Sequence, residues 1–273
     1  MIENPPSFVV RTELHTAAFD NGFRIDLGLD SGWLHFRSTT AQGDIWLGAG
    51  SKDGPWLLAV GLAAVATELG IPPAAPSPAA LNAPAGTVYS FHAIDQLHDA
   101  LDRTYRLGVS LPDAPLKEFL AKTKSIPRTT EAERLVVQRV GQDVFRKALM
   151  EYWKGRCPLT GITEPALLRA SHIVPWSECE TDALRLDVHN GLLLSALWDA
   201  AFDAGLISFD DSGNPLLSPT ITEAAAERLN AQSAGPLRLT DAHRANLARH
   251  RATHGFGVTL HRPAVPMETP DHA

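Results

Sequence analysis

The chain has 273 residues, enough for one large domain or two modest ones, and its 44% apolar content supports a folded core rather than overall disorder. A net charge of −7, from 24 Lys and Arg against 31 Asp and Glu, excludes a uniformly basic nucleic-acid coat but leaves room for a local basic surface. There is no uncharged apolar run of ~18 residues to span a membrane, the opening MIENPPSFVVR does not read as a secretory leader, and two cysteines build neither a disulfide scaffold nor a four-thiolate zinc site.

Residues 8–60 read as short strands separated by turns. FVVRTELHTAAF, GFRIDLGL, GWLHFRST and GDIWLGAG are punctuated by Asn-Gly, Asp-Ser-Gly and Gly. In the third, Leu34 and Phe36 lie opposite Trp33, His35 and Arg37; in the fourth, Ile45 and Leu47 flank Trp46. Residues 56–70 read as a strand and then a short helix ended by Gly70. Five prolines in residues 72–86 point to an extended surface connection. The next segment predicts a helix with Ile94, Leu97, Leu101 and Tyr105 on one face and Gly108 as its stop.

The character changes at Pro112, Pro115 and Pro127, and the best domain cut falls near 120–130. This divides the chain into a β-rich module at 1–120 and a second domain at 121–273. From Glu131 to Trp153 the pattern is helical, with Thr129 or Thr130 as N-cap and Gly141 as a point of weakness. Residues 122–156 hold nine Lys or Arg against four Asp or Glu, a local excess of five positive charges in an acidic chain. Charge alone makes that a solvated face.

The segment 156–217 carries the chemistry. LLRASHI is a short apolar run ending at His172, after which Pro175 redirects the chain. An Asn-Gly turn at Asn190 leads to a segment that becomes helical by Ser195, where Asp199 and Asp203, four apart, share a face. Leu206, Ile207 and Phe209 then form a strand closed by the turn DDSGN. A histidine beside two carboxylates is the minimum equipment for metal-assisted phosphodiester hydrolysis: the carboxylates hold a hard cation and the imidazole takes a proton from water. By spacing alone such a set is more often structural than catalytic.

Three linked motifs in order decide more. Cys157-Pro158-Leu159-Thr160-Gly161, Ala170-Ser171-His172-Ile173 and Asn190-Gly191-Leu192 make the chain resemble the HNH nuclease superfamily, in its bacterial endonuclease branch without the zinc-binding cysteine knuckles. The strict match covers roughly a quarter of the chain. The resemblance implies an α+β fold in which the β-rich module precedes a ββα-metal nuclease domain with flanking helices. It implies His172 as general base and Asn190 as the residue that positions the base or its loop. Asp199 would ligate the metal, with Asp203 as a second ligand and Ser171 or Asp187 as alternatives. Ser171 departs from the pattern, since relatives can carry a ligating residue there, and Asp187 can instead brace its loop. All-oxygen donors point to Mg²⁺ or Mn²⁺, and no structural zinc is expected from Cys157 and Cys179.

Arg169 and Arg185 flank the catalytic strand and loop as candidate phosphate contacts, and His189 is a third DNA-binding candidate, otherwise a surface loop histidine. The C-terminal helix carrying His243, Arg244, Arg249, His250 and Arg251 reads as a cap on the nuclease domain, able also to touch DNA backbone. Trp33, Trp46 and Trp56 can line a base pocket in a target-reading module, or simply pack a core. The expected function is therefore a metal-dependent DNA endonuclease of restriction type, cytoplasmic, acting on foreign or modified double-stranded DNA. A double-strand break would require a homodimer or successive nicks. The alternative is a non-catalytic DNA-binding or regulatory protein with a degenerate HNH site.

Overall fold

The computed structural model describes residues 2–75, 83–127, 129–233 and 235–256. Residues 76–82, the middle of the proline-rich connection, lie outside that set. The fold is α+β.

The chain opens with helix α1 (Phe8–Asp20), where a strand is expected. Val10, Leu14, Ala17 and Ala18 are its buried residues, and their three-to-four spacing gives a helix one apolar face. An antiparallel meander follows: β1 (Ile25–Asp30), β2 (Trp33–Arg37), β3 (Ile45–Ala49), β4 (Trp56–Val60) and β5 (Thr87–Phe91), ordered as in the sequence. Strand β5 escapes the sequence reading. Helix α2 (Ala63–Glu68) sits between β4 and β5, and α3 (Ile94–Ser110) packs against β4, α1 and α2.

The alternation of the strands sorts their side chains. Leu34, Phe36, Ile45, Leu47, Trp56, Leu58 and Val60 join the main apolar core, whereas Trp33, Leu57, Ala59 and Val88 form a small cluster of their own. Trp33 and Trp56 thus face opposite sides of the sheet, and Trp46 stacks on His35 at 4.6 Å. A base pocket built from all three is ruled out by that geometry.

Gly108 lies inside α3 instead of stopping it. A Cβ there would meet the Ala41 Cβ and the Gln42 carbonyl oxygen, each at 3.0 Å, and Gln42 donates its N–H to the Gly108 carbonyl. The glycine admits a loop of the sheet against the helix; Pro112 ends the helix two residues after Ser110.

Helix α4 (Asp113–Thr123) and α3 both pack on the long helix α5 (Glu131–Tyr152). Thr130 is the N-cap: it accepts from the Glu133 N–H, and the Glu133 carboxylate accepts from the Thr130 N–H. Gly141 does not break α5. It forms a notch, because a Cβ there would collide with the Trp176 indole and come within 3.3 Å of Phe119.

Beyond α5 come β6 (Leu168–His172), α6 (Asp182–Leu186), β7 (Gly191–Ser195), α7 (Ala196–Asp203), the hairpin β8 (Ile207–Phe209) and β9 (Pro215–Leu217), α8 (Glu223–Gln232) and α9 (Asp241–Thr253). Strand β7 is fully buried, so GLLLS has no polar alternation to announce it. It pairs antiparallel with β6, placing His172 opposite Gly191 and Leu168 opposite Ser195. Arg146 pins the start of β6 to α5 by donating to the carbonyls of Leu168 and Pro165 at 2.9 and 2.8 Å. One apolar core runs from Val10 through α3 and α5 to Leu247 of α9, crossing residue 120 without interruption. No helix among the described residues is long and apolar enough to cross a membrane.

Gly141→Ala sets two effects against each other. Helix propensity favours alanine by ~1 kcal/mol, whereas overpacking a tight contact costs ~1–3 kcal/mol. Because the added carbon meets a wedged tryptophan, we expect a net loss of ~1–2 kcal/mol in urea unfolding; a variant more stable than wild type would show that Trp176 moves freely.

Candidate active site

The antiparallel pair β6–β7 presents His172 at its open end. The ring stacks on Phe145 of α5, with centroids 3.8 Å apart and planes 18° from parallel, and Trp176 meets it edge-on at 5.5 Å. The His172 Nε2 lies 2.9 Å from the Arg185 carbonyl oxygen. A carbonyl only accepts, so Nε2 carries the proton and the neutral ring leaves Nδ1 with a lone pair. Burial lowers the imidazole pKa, opposed by the hydrogen bond to Arg185.

Gly191 makes this arrangement possible. A Cβ at that position would strike Phe145 and approach Leu149 within 2.9 Å. Asn190, fully buried, closes the intervening loop. Its Oδ1 accepts from the Val174 N–H at 2.8 Å, while its Nδ2 donates to the carbonyls of Val174 and Leu184 and to the Cys179 sulfur. That fixes the Trp176-to-Arg185 segment, hence both the wall and the acceptor of His172.

On α7, Trp198, Ala201 and Phe202 are buried, which turns Asp199 and Asp203 away from the core. Ser171 donates its hydroxyl proton to Asp199 in a short hydrogen bond. Partial burial and the Asp199 charge both raise the Asp203 carboxyl pKa. Ser171, His172, Trp176, Asp203, His250 and His254 line a cavity of about 400 Å³. Among the described residues no group of three or more His, Cys, Asp or Glu is gathered as a metal site. Two carboxylates and a hydroxyl nevertheless fit a hard divalent cation that keeps much of its water.

Several expected site residues stand elsewhere. Asp187 accepts from the His189 backbone and pairs with its ring at 2.8 Å, bracing the loop instead of joining the cavity. Arg185 donates to the carbonyls of Trp176 and Cys179 and to Asp182, so its guanidinium clamps the loop and is not free for phosphate. Arg169 is exposed and bonds the carbonyls of Ala166 and Leu168. Cys157 and Cys179 are buried free thiols, Cys157 within the turn that bonds Gly161 and Ile162. Helix α9 caps the domain: His250 is buried, stacks on Phe202 at 4.0 Å and bonds Ser208, while Arg251 bonds the Phe209 carbonyl and Asp211. Burial and the neighbouring His254 push the His250 pKa down to about 4.

His189 is the largest correction. It is 7% exposed, too enclosed to meet DNA, and its Nε2 lies 2.6 Å from Glu68, at the end of α2. Tyr152 donates to the other Glu68 oxygen at 2.8 Å. Burial opposes charge on His189, but Asp187 and Glu68 outweigh it and lift the pKa to about 9. Burial likewise pushes the Glu68 carboxyl up, yet the His189 bond and charge hold it below the ordinary value. His243, 5.1 Å from His189, is driven down to about 4 by burial and that cation. Nothing in the sequence joins Glu68 to His189 across more than a hundred residues. Phe145 and Trp176, the walls of His172, carry only the weak signal of lying near the motif.

Residues 157–210 match the family model described as HNH endonuclease, a span that contains β6, β7, α7 and β8. No curated protein matches the chain. The match supports the HNH nuclease superfamily for this segment and with it a nuclease-type, DNA-cleaving function. HNH nucleases generally use a divalent metal ion.

The Glu68–His189 pair makes stability depend on pH in a defined direction. The His189 contribution is complete below its ordinary value of 6.5 and is lost as pH rises through about 9. The Glu68 contribution is present above its ordinary 4.5 and is lost as pH falls through its lowered value. Glu68→Gln should therefore cost most, ~2 kcal/mol, near pH 5.5, and the gap should close above pH ~9.5. Urea midpoints of both proteins across that range test it; an equal gap at both ends would sink the ion-pair account.

Proposed function

We propose that the HNH segment makes this protein a metal-dependent DNA endonuclease in which His172 is the general base. The observation that carries this reading is the setting of that ring: Nε2–H is engaged by the Arg185 carbonyl, Nδ1 has no hydrogen-bond partner among the described residues, and burial lowers the imidazole pKa, which favours the neutral base. A water oxygen would attack phosphorus as its proton passes to Nδ1. The new P–O bond forms while one ester P–O bond breaks, and its electron pair leaves with the departing oxygen. Phe145 and Trp176 hold the ring still, and Asn190 holds the loop that supplies its acceptor.

Asp199 and Asp203 would hold a divalent cation, Mg²⁺ or Mn²⁺ by the oxygen character of the donors. When bound, such an ion neutralises charge on the phosphate and on the leaving oxygen. Ser171 orients one Asp199 oxygen by hydrogen bonding rather than by acting as a strong ligand. Arg169, exposed on β6, is the arginine proposed to reach a phosphate. The reading extends to double-stranded DNA as substrate and to a cytoplasmic, restriction-type role against foreign or modified DNA, with residues 1–120 as target reader and 121–273 as nuclease. Two cuts would come from a homodimer or from successive nicks. A second reading, a DNA-binding protein with a degenerate site, draws on Ser171 and on the lack of a three-residue metal cluster among the described residues.

Plasmid nicking in Mg²⁺, Mn²⁺ and EDTA separates the two. Cleavage should need the metal, and His172→Ala and Asp199→Ala should each lower it at least ~100-fold. Tight binding without cleavage of unmodified, methylated, hydroxymethylated and phosphorothioated DNA would instead establish the binding protein.

A further inference from the structure

A second cavity, of about 480 Å³, shares no lining residue with the one at His172. It lies among α3, the end of α5 and the segment around residue 237, and five cationic side chains line it: Arg103, Arg106, Lys154, Arg156 and Arg238. In an acidic chain this concentration is unexpected, and the ion pairs decide how much of it is free. Arg106 bonds Asp102 at 3.0 Å and Glu151 at 2.9 Å, and Lys154 lies 3.4 Å from Asp102. Those two cations and two acids balance. Glu68, the acid in the wall, has its oxygens taken by His189 and Tyr152; it shares the His189 cation with Asp187, so that cluster keeps one negative charge beside the cavity, fewer than the cations still to be counted.

Three guanidinium groups remain. Arg103 donates to the Glu68 carbonyl at 3.1 Å, and neither it nor Arg156 nor Arg238 has an acidic partner among the described residues. Arg156 and Arg238 are exposed at the rim. The last-turn carbonyls of α5 are taken by the N–H groups of Trp153, Lys154 and Gly155, so the helix end offers few competing acceptors there. Trp153 and Tyr152 supply aromatic wall beside the charges. Unpaired guanidinium forks match phosphate oxygens in pairs, and aromatic surface suits the face of a base. The volume falls in the range of small-molecule sites, ~300–1,000 Å³.

We infer that this cavity binds a nucleotide through its phosphate, with Arg103, Arg156 and Arg238 as the phosphate ligands and Trp153 as the wall for the base. The nucleotide is either free in solution or one unit of a DNA strand; the chemistry at the site is the same. Binding goes beyond the proposed cleavage and does not need it.

The test uses the full chain in EDTA, so cleavage plays no part and a failure of the nuclease reading leaves this result intact. The probes are deoxyadenosine monophosphate and a short DNA duplex, measured by calorimetry and by fluorescence anisotropy over a salt series. The variant is Arg156→Glu with Arg238→Glu, two exposed side chains with no ion-pair partners among the described residues, and a thermal melt checks its fold. Saturable monophosphate binding weakened at least ~10-fold in the variant assigns a free nucleotide. Binding of the duplex alone, weakened alike and with a salt slope lower by about 2, assigns a DNA strand. His172→Ala should leave both affinities unchanged. If wild type binds neither probe, or the double variant binds both as wild type does, the inference is overturned.

Discussion

The rest of the site depends on the immobilised His172 ring. An imidazole serves as a base at neutral pH only when it stays neutral, keeps the correct tautomer and holds its direction. Here one packing arrangement meets all three needs. Phe145 covers a face, Trp176 abuts it edge-on, and the Arg185 carbonyl takes the proton on Nε2. Two glycines permit it, Gly191 by letting Phe145 lie under the strand pair and Gly141 by letting Trp176 sink against α5. Both positions answer to steric closeness, since neither has the positive φ for which glycine is usually chosen.

The loop from 173 to 190 is where the polar groups of the fold are spent. Asn190 satisfies four partners, Arg185 clamps three, and Asp187 braces the next residue. A long loop beside a base would otherwise sample many conformations, and each buried hydrogen bond removes some of that freedom. The same loop is tied to helix α2 of the N-terminal module through His189 and Glu68. A charged pair this enclosed persists because both ions are hydrogen-bonded on more than one side: Tyr152 on Glu68, Asp187 on His189. The N-terminal module and the HNH segment are thus joined by a continuous apolar core and by a buried ionic link between α2 and this loop.

Periodicity and punctuation made much of the chain legible. The β2, β3 and β4 segments, the short α2, the capped α5 and the β8–β9 turn all carry local signals that tertiary structure leaves in place. Fold and sequence pattern part where the local signal is absent or has two meanings. FVVRTELHTAAF alternates poorly, yet its three-to-four spacing buries a helix face. GLLLS is apolar throughout because both faces are covered, so it shows no strand period. Gly108 and Gly141 read as a stop and a weakness, because a sequence does not reveal whether a glycine serves backbone freedom or a neighbour's approach.

The net charge of −7 fixed no partner, since three arginines without acidic partners among the described residues gather at one cavity whatever the total. What the sequence by itself determined was the motif: His172, Asn190, Asp199 and Asp203 in order, on a strand, a loop end and one face of a helix. The roles come from the resemblance that the three linked motifs carry; short-range spacing, written in the covalent order, supplies only the placement on a strand, a loop end and a helix face. Tertiary structure alone decided which polar groups are free to act. It bent Arg185 into its own loop, buried His189 against Glu68 and left Arg103, Arg156 and Arg238 without acids among the described residues. Partner choice for a charge is settled by distance in space and by loss of water, and neither quantity is written along the chain.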